Sequence, residues 1–183
     1  DVDHIILCLG ENSYTEFLGD INELDLPEAQ IALARAMIKT GKPITLVLLE
    51  GRPRIISKIA DEIGSILLGY YPGQAGANSI SDIIFGKINP SGKLPYTYPR
   101  YSNALMTYDH KHVEAERLQG SEIPFYPQFE FGHGLSYTQF EYGNILLEKK
   151  ELTEDEDLRF SFFIKKLNEL RNGTLINEGS WVA

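Results

Sequence analysis

The stretch TGKPITLVLLEGRPRII, residues 40–56, decides how this chain folds. Gly41 and Pro43 close whatever precedes it, and Ile44–Leu49 is a run of six residues whose successive positions are almost all apolar. Such a run is too short for a buried helix and lacks the polar alternation of a half-exposed strand, so it reads as an interior strand of a parallel sheet. Glu50-Gly51-Arg52-Pro53 then turns the chain away. Two further runs have the same character, VDHIILCLG at 2–10 and GSILLGYY at 64–71.

Helical spacing fills the gaps between these runs. In LPEAQIALARAMIKTGKP, residues 26–43, Pro27 suits a first turn, Ile31, Ala34 and Ile38 share a face, and Gly41 is a natural stop. RIISKIADEIG (54–64) predicts a shorter amphipathic helix. GQAGANSISDIIFG (73–86) predicts another through Ala77, Ile80, Ile83 and Ile84. The order β-α-β-α-β-α implies an α/β layered sandwich with a mostly parallel sheet flanked by helices.

From about Asn89 to Tyr137 neither period persists, and NPSGKLPYTYPRY (89–101) and IPFYPQFEFGHGLSYTQFEYG (123–143) are rich in proline, glycine and aromatics. This predicts an ordered irregular wrap, with Tyr96, Tyr98, Tyr101, Phe125, Tyr126, Phe129 and Phe131 as anchors lying on the sandwich. NILLEKKELTEDEDLRFSFFIKK (144–166) then offers two strand-like runs around an acidic turn. The expected domains are 1–141, an α/β sandwich whose opening on a strand suggests a cut end, and 142–183, an incomplete β segment.

Composition narrows the function. The chain has 183 residues, 43% of them hydrophobic, with 26 acidic against 17 basic residues and a net charge of −9. With no lysine- or arginine-rich block, nothing would neutralise a phosphate backbone or dock on anionic lipid, which argues against nucleic-acid and membrane partners. No apolar stretch approaches the ~20 residues of a membrane span. Cys8, the single cysteine, allows no internal disulfide and is expected to be buried. His110 and His112 are too few for a metal site, and no cofactor motif is present. Gly73 and Gly76 lack phosphate-loop spacing and are assigned to helix–strand packing, which removes a nucleotide-binding reading. Lys93 belongs to a structural turn, His133 receives no role, and Asn-Gly-Thr at Asn172 meets a glycosylation pattern of the kind that also arises by chance.

The loop GENSYTEFLGDINELDLPEAQ, residues 10–30, gathers Glu11, Glu16, Asp20, Glu23, Asp25 and Glu28 without one basic residue. It leaves the carboxyl end of the first strand, where open α/β sheets place ligands. Glu23, Asp25 and Glu28 are expected to complement the dipole of the following helix, and Glu11 to be structural. Glu16 stands between Tyr14 and Phe17, where aromatic neighbours could desolvate it and hold its proton as a general acid requires. On physics alone the solvated-surface reading of Glu16 outweighs the catalytic one.

GENSYTEFLGD resembles the acid/base loop of family 3 glycoside hydrolases of the exo-β-glucosidase type, a Gly-Glu-x-x-Tyr-x-Glu-x-x-Gly-Asp frame that Gly10, Glu11, Tyr14, Glu16, Gly19 and Asp20 fit. The segments LPEAQ, TGKPITLVLLEGRPRII, YYPGQAGANSISDIIFGKINPSGKLPYTYPR and FEFGHGLSYTQFEY resemble that family's second domain in order, over roughly residues 1–150. Residues 142–183 are similar to the opening of the fibronectin type III-like domain that many members carry, although LNELRNGTLINEGSWVA (167–183) departs from it. The resemblance implies a retaining hydrolase acting on β-glucosides or oligosaccharides, with Glu16 as acid/base, Tyr14, Asp20 and Arg52 as candidate substrate contacts, and no metal or cofactor. It also implies that the nucleophilic aspartate belongs to an upstream (β/α)₈ barrel, that this chain alone is inactive, and that the enzyme is periplasmic or secreted. For Arg52 a turn-capping role is the plainer reading. β-Xylosidase specificity stays open, as does a non-catalytic carbohydrate-binding or scaffold module, while a β-N-acetylglucosaminidase fits less well.

Overall fold

The computed structural model describes residues 2–104, 108–109, 126–171, 174–176 and 180–182. Its contacts divide the chain into two compact units, Asp1–Ala77 with Lys93–His133, and Asn78–Gly92 with Gly134–Ala183.

The first unit is built on a three-stranded parallel sheet in the order β1 (Ile5–Gly10), β2 (Ile44–Leu49), β3 (Ser65–Leu68). β1 runs level with β2 from Ile5 opposite Ile44 to Gly10 opposite Leu49. Helix α1 (Glu28–Ile38) joins the first two strands and buries Ile31 and Ala34. These meet Leu7, Leu9, Leu46 and Leu48 from one sheet face, with Leu26, Ile56, Ile59 and Tyr98 closing the cluster. Burying a side chain of that size contributes ~1.5–3 kcal/mol, so this face carries most of the unit's stability. Gly41 ends the segment in the left-handed region at φ +69°, as a helix stop requires. The α/β architecture is therefore the one expected, with β2 the most deeply buried strand.

Three local expectations fail. Cys8 is exposed, as is Ile6, because β1 lies at the edge of the sheet and its alternate residues point away from the core that holds Leu7 and Leu9. Residues 54–64 form no α-helix. Ile55 instead makes a parallel bridge with Asp25, and only Ala60–Glu62 coils, as a 3-10 turn, because burying Ile55, Ile56 and Ile59 together suits a folded-back segment better than a regular helix. Asp25 does not serve the α1 dipole but pairs with Lys58 at 2.6 Å; Glu28 does sit in the first turn.

The wrap is irregular where described, pinned by Tyr98 bridged to Phe129 and by Leu94, whose N–H donates to the His133 carbonyl at 2.8 Å. Tyr98 is buried and Tyr96 and Phe129 pack on the core, but Tyr101, Tyr126 and Phe131 are exposed, so three of the six described anchors face solvent. His133 stacks on Phe129 at 5.1 Å. Phe125, His110, His112 and Asn172 lie outside the described residues.

In the second unit Asn89 holds the segment 136–138: its Oδ1 accepts from the Tyr137 N–H at 2.8 Å and from Ser136 Oγ at 3.1 Å, and its Nδ2 donates to Thr138 Oγ1. Most of helix α2 (Gly76–Ile84) falls here, beginning at Gly76, where an added Cβ would lie 2.2 Å from Pro72 Cβ. That contact, rather than helix–strand packing, requires the glycine. β4 (Phe140–Leu147), β5 (Phe160–Lys166) and β8 (Ser180–Val182) form an antiparallel sheet in that order, and β6 (Glu169–Arg171) pairs with β7 (Thr174–Ile176). The β4–β5 register shifts between Gly143 and Leu146, where Asn144 takes φ +52°.

Candidate active site

β1, β2 and β3 end together, and the loops that leave them create a common rim. The first returns to the rim through Glu11, whose backbone N–H bonds Leu49 O at 2.9 Å and whose side chain is almost fully buried. Glu11 Oε2 accepts the N–H groups of Gly51 and Arg52 at 3.0 and 3.1 Å, and Oε1 accepts Arg52 Nε at 2.9 Å, with Arg54 Nη1 at 3.3 Å. Burial pushes this carboxyl up, but the Arg52 N–H, the Arg52 side chain, the Gly51 N–H and the Arg52 charge together outweigh it and leave the pKa below its ordinary value. Glu11 is therefore an ionised anchor, structural as expected.

Arg52 is equally committed. Its Nη2 lies 2.8 Å from Glu11 Oε1, Nη1 donates to the Gly19 carbonyl, and the guanidinium sits 3.9 Å above the Tyr14 ring. The ring in turn covers Gly19, where an added Cβ would lie 2.3 Å from Tyr14 Cδ2; Gly51 is similarly closed by Tyr71 at 2.3 Å. Tyr14 and Tyr71 meet edge-on at 6.1 Å, and hydrogen bonding to Tyr14, burial and the Glu11 charge push the Tyr71 phenol up to about 12. Of the candidate substrate contacts, Tyr14 and Arg52 thus hold the loop, whereas Asp20 is exposed and follows the 3-10 turn Glu16–Gly19.

Glu16 opens that turn. It is exposed and, among the described residues, has neither an ion-pair nor a hydrogen-bond partner. Its φ of +47° is in the left-handed region, uncommon for a non-glycine residue and most often retained where the surrounding structure imposes it. Tyr70 at the end of β3 shares this feature at φ +50°. The expected enclosure of Glu16 by aromatic neighbours is not met within this chain: Phe17 is 74% exposed, Leu18 79%, and Tyr14 faces Arg52. The turn instead presents a free carboxylate beside an apolar pair. A cleft of about 220 Å³ lies next to it, lined by Gly10, Asn12, Ser13, Ile21 and Pro27 among others, and Glu16 is not in its wall.

Sequence reasoning missed Gln30, Glu50, Arg54 and Tyr98. Gln30 of LPEAQ clamps Gly10, accepting its N–H at 3.0 Å and donating to its carbonyl at 2.9 Å, which fixes where the loop departs. Glu50 is 1% exposed, an anomaly for a glutamate. Burial raises its pKa to about 7 against its hydrogen bonds with Tyr98 and the Arg54 N–H; the Glu11 charge adds to the rise and the Arg54 charge opposes it. The only sequence signal was a carboxylate directly abutting an almost wholly apolar strand.

Residues 1–137 match the glycosyl hydrolase family 3 C-terminal domain, and this chain belongs to that family. It is similar to the lysosomal beta glucosidase of Dictyostelium discoideum, 37% identical over 145 residues covering 78% of this chain and 17% of that protein. The beta-xylosidase of Formosa agariphila is 38% identical over 158 residues, covering 82% and 21%. The crystal structure of a beta-glucosidase from Listeria innocua in complex with glucose superposes with a TM-score of 0.78 at 30% identity, covering 93% of this chain and 25% of that one. The chain thus spans about a sixth to a quarter of the length of these relatives.

Proposed function

We propose that this chain is the acid/base-bearing domain of an exo-acting β-glucosidase that hydrolyses terminal non-reducing β-D-glycosidic bonds by a retaining double displacement. The observation that carries this reading is Glu16: Glu11 is bound to two arginines and Asp25 to Lys58, while Glu16 is exposed without a partner among the described residues and is the one carboxylate of residues 10–30 held in the left-handed region, at φ +47°. In this scheme an aspartate on an upstream (β/α)₈ barrel attacks the anomeric carbon while Glu16 protonates the leaving oxygen, then removes a proton from water as the glycosyl-enzyme is released. The partner domain supplies the desolvation that this chain does not, through docking over Phe17 and Leu18, and Asp20 is the remaining candidate for a sugar hydroxyl contact. No cofactor enters the scheme. Residues 142–183 are proposed to open a fibronectin type III-like domain, and a periplasmic or secreted setting accords with the similarity to a periplasmic beta-glucosidase of Salmonella typhimurium.

The test is Glu16→Gln in the full-length protein. Loss of a positioned general acid lowers turnover by about 10²–10⁴-fold on glucosides with poor leaving groups and far less on activated aryl glucosides. Equal loss on both, or none, removes Glu16 from the mechanism. The similarity to a beta-xylosidase supports a second reading, β-xylosidase specificity, which kcat/KM on matched aryl β-glucoside and β-xyloside substrates decides. A protein with no turnover of either, yet binding oligosaccharide, would be a carbohydrate-binding module.

A further inference from the structure

Glu50, Tyr98 and Arg54 pose a problem of proton counting. Tyr98 Oη lies 2.7 Å from Glu50 Oε1 and also 2.7 Å from the Arg54 carbonyl oxygen. Two oxygen–oxygen contacts of that length each need a proton between them, and a phenol has one. A carbonyl has none to give. The second proton must come from the carboxyl group. The other contact of Glu50 agrees, since the Arg54 N–H is 3.3 Å from Oε2, longer than the ~2.7–2.9 Å of a hydrogen bond to a carboxylate.

Arg54, the cation whose charge acts on Glu50, has both terminal nitrogens engaged elsewhere. The charged and titratable groups around it are Glu11 from the loop after β1, Arg54 from the turn after β2, Tyr70 from the end of β3, and Tyr96 and Tyr98 from the wrap. Arg54 gives Nη1 to Glu11 and Nη2 to the Asp25 carbonyl, and Arg52 gives Nε and Nη2 to Glu11. One carboxylate, Glu11, takes the ion pairs of both arginines.

We infer that Glu50 is a neutral carboxylic acid that donates its proton to Tyr98, so that both guanidinium groups stay on Glu11 and the loop carrying Glu16 is fixed. The Tyr98 O–H in turn donates a hydrogen bond to the Arg54 carbonyl, which locks the Arg52–Arg54 turn. Ionising Glu50 would set a second buried anion beside Glu11, draw Arg54 from it, and loosen the anchor of residues 11–19. Glu50 is thus a positioning residue; its protonation stands on geometry alone, and its bearing on catalysis rests on the function proposed above.

Infrared difference spectra of the full-length protein against Glu50→Gln test the proton directly. At pH 6 the native protein should show one protonated-carboxyl stretch that the variant lacks, and Tyr98→Phe should shift that band by removing its acceptor. Absence of the band at pH 6, or a band unmoved by Tyr98→Phe, overturns the assignment. Hydrogen exchange of peptides covering 10–20, corrected for intrinsic rates, should lose at least tenfold in protection between pH 6 and 8.5 in the native protein and stay flat in Glu50→Gln. The same pH-dependent loss in both proteins overturns the coupling to the loop, whatever Glu16→Gln does to turnover.

Discussion

Arg52 Nε and Nη2 grip a single oxygen of Glu11 at 2.9 and 2.8 Å, across 41 residues of sequence. This bond joins the departure of the first rim loop to the turn after β2, and the behaviour of the candidate site follows from it.

Replacing Glu11 by Gln leaves two arginines without their counter-charge. Breaking a buried pair from one side costs about 3–5 kcal/mol, and because Arg52 keeps partial access to water the loss should fall near the lower figure. Chemical denaturation of native and Glu11→Gln proteins measures it; a midpoint shift within error would show that Tyr14 and the backbone suffice to hold the loop.

The pH dependence of stability should carry two opposed limbs. Glu11, held below its ordinary 4.5, contributes stability that is present above that pH and fades as pH falls through its folded value. Glu50, raised from 4.5 to about 7, contributes stability that is complete below 4.5 and is lost as pH rises to about 7. A shift of that size corresponds to up to about 3 kcal/mol. Thermal melting from pH 4 to 8 should show a fall across the upper range that Glu50→Gln abolishes; parallel curves for the two proteins would exclude it.

Gly51→Ala should damage the rim without touching Glu16. Its Cβ would fall 2.3 Å from Tyr71 Cε2 and 2.9 Å from Tyr14 Oη, so both rings must move. Overpacking of this kind costs about 1–3 kcal/mol. A melt of the variant gives the cost, and a Gly51→Ala protein as stable as the native one would mean the rings swing clear.

Exposed on the edge strand, Cys8 should react with a thiol reagent in the folded 183-residue chain at a rate near that of the denatured chain. If further strands extend the sheet past β1 in the full-length protein, the same thiol should be protected there by at least tenfold. Equal reactivity in both would leave β1 as a true edge.

Much of the site was legible as position and little of it as connectivity. The frame Gly10–Asp20 offers Glu16 only as a candidate through its family resemblance, while the short distance from a strand end marks Glu11 as structural. Arg52 was seen as a turn residue, but nothing in Glu-Gly-Arg-Pro told which carboxylate it would meet. Tyr98 looked like any other aromatic of the wrap. Its partner Glu50 falls on the same strand-end rim but receives no role from the sequence, because a glutamate at the end of a strand is ordinarily solvated, and burial depends on what folds over it.

The sequence by itself determined the sheet and α1, because those rest on short-range periodicity and on helix stops that each segment carries within itself. Tertiary structure decided the charge pairings, the protonation of Glu50, the failure of 54–64 to form a helix and the exposure of Cys8. Each of these depends on groups tens of residues apart in the chain, and on how much water their meeting excludes.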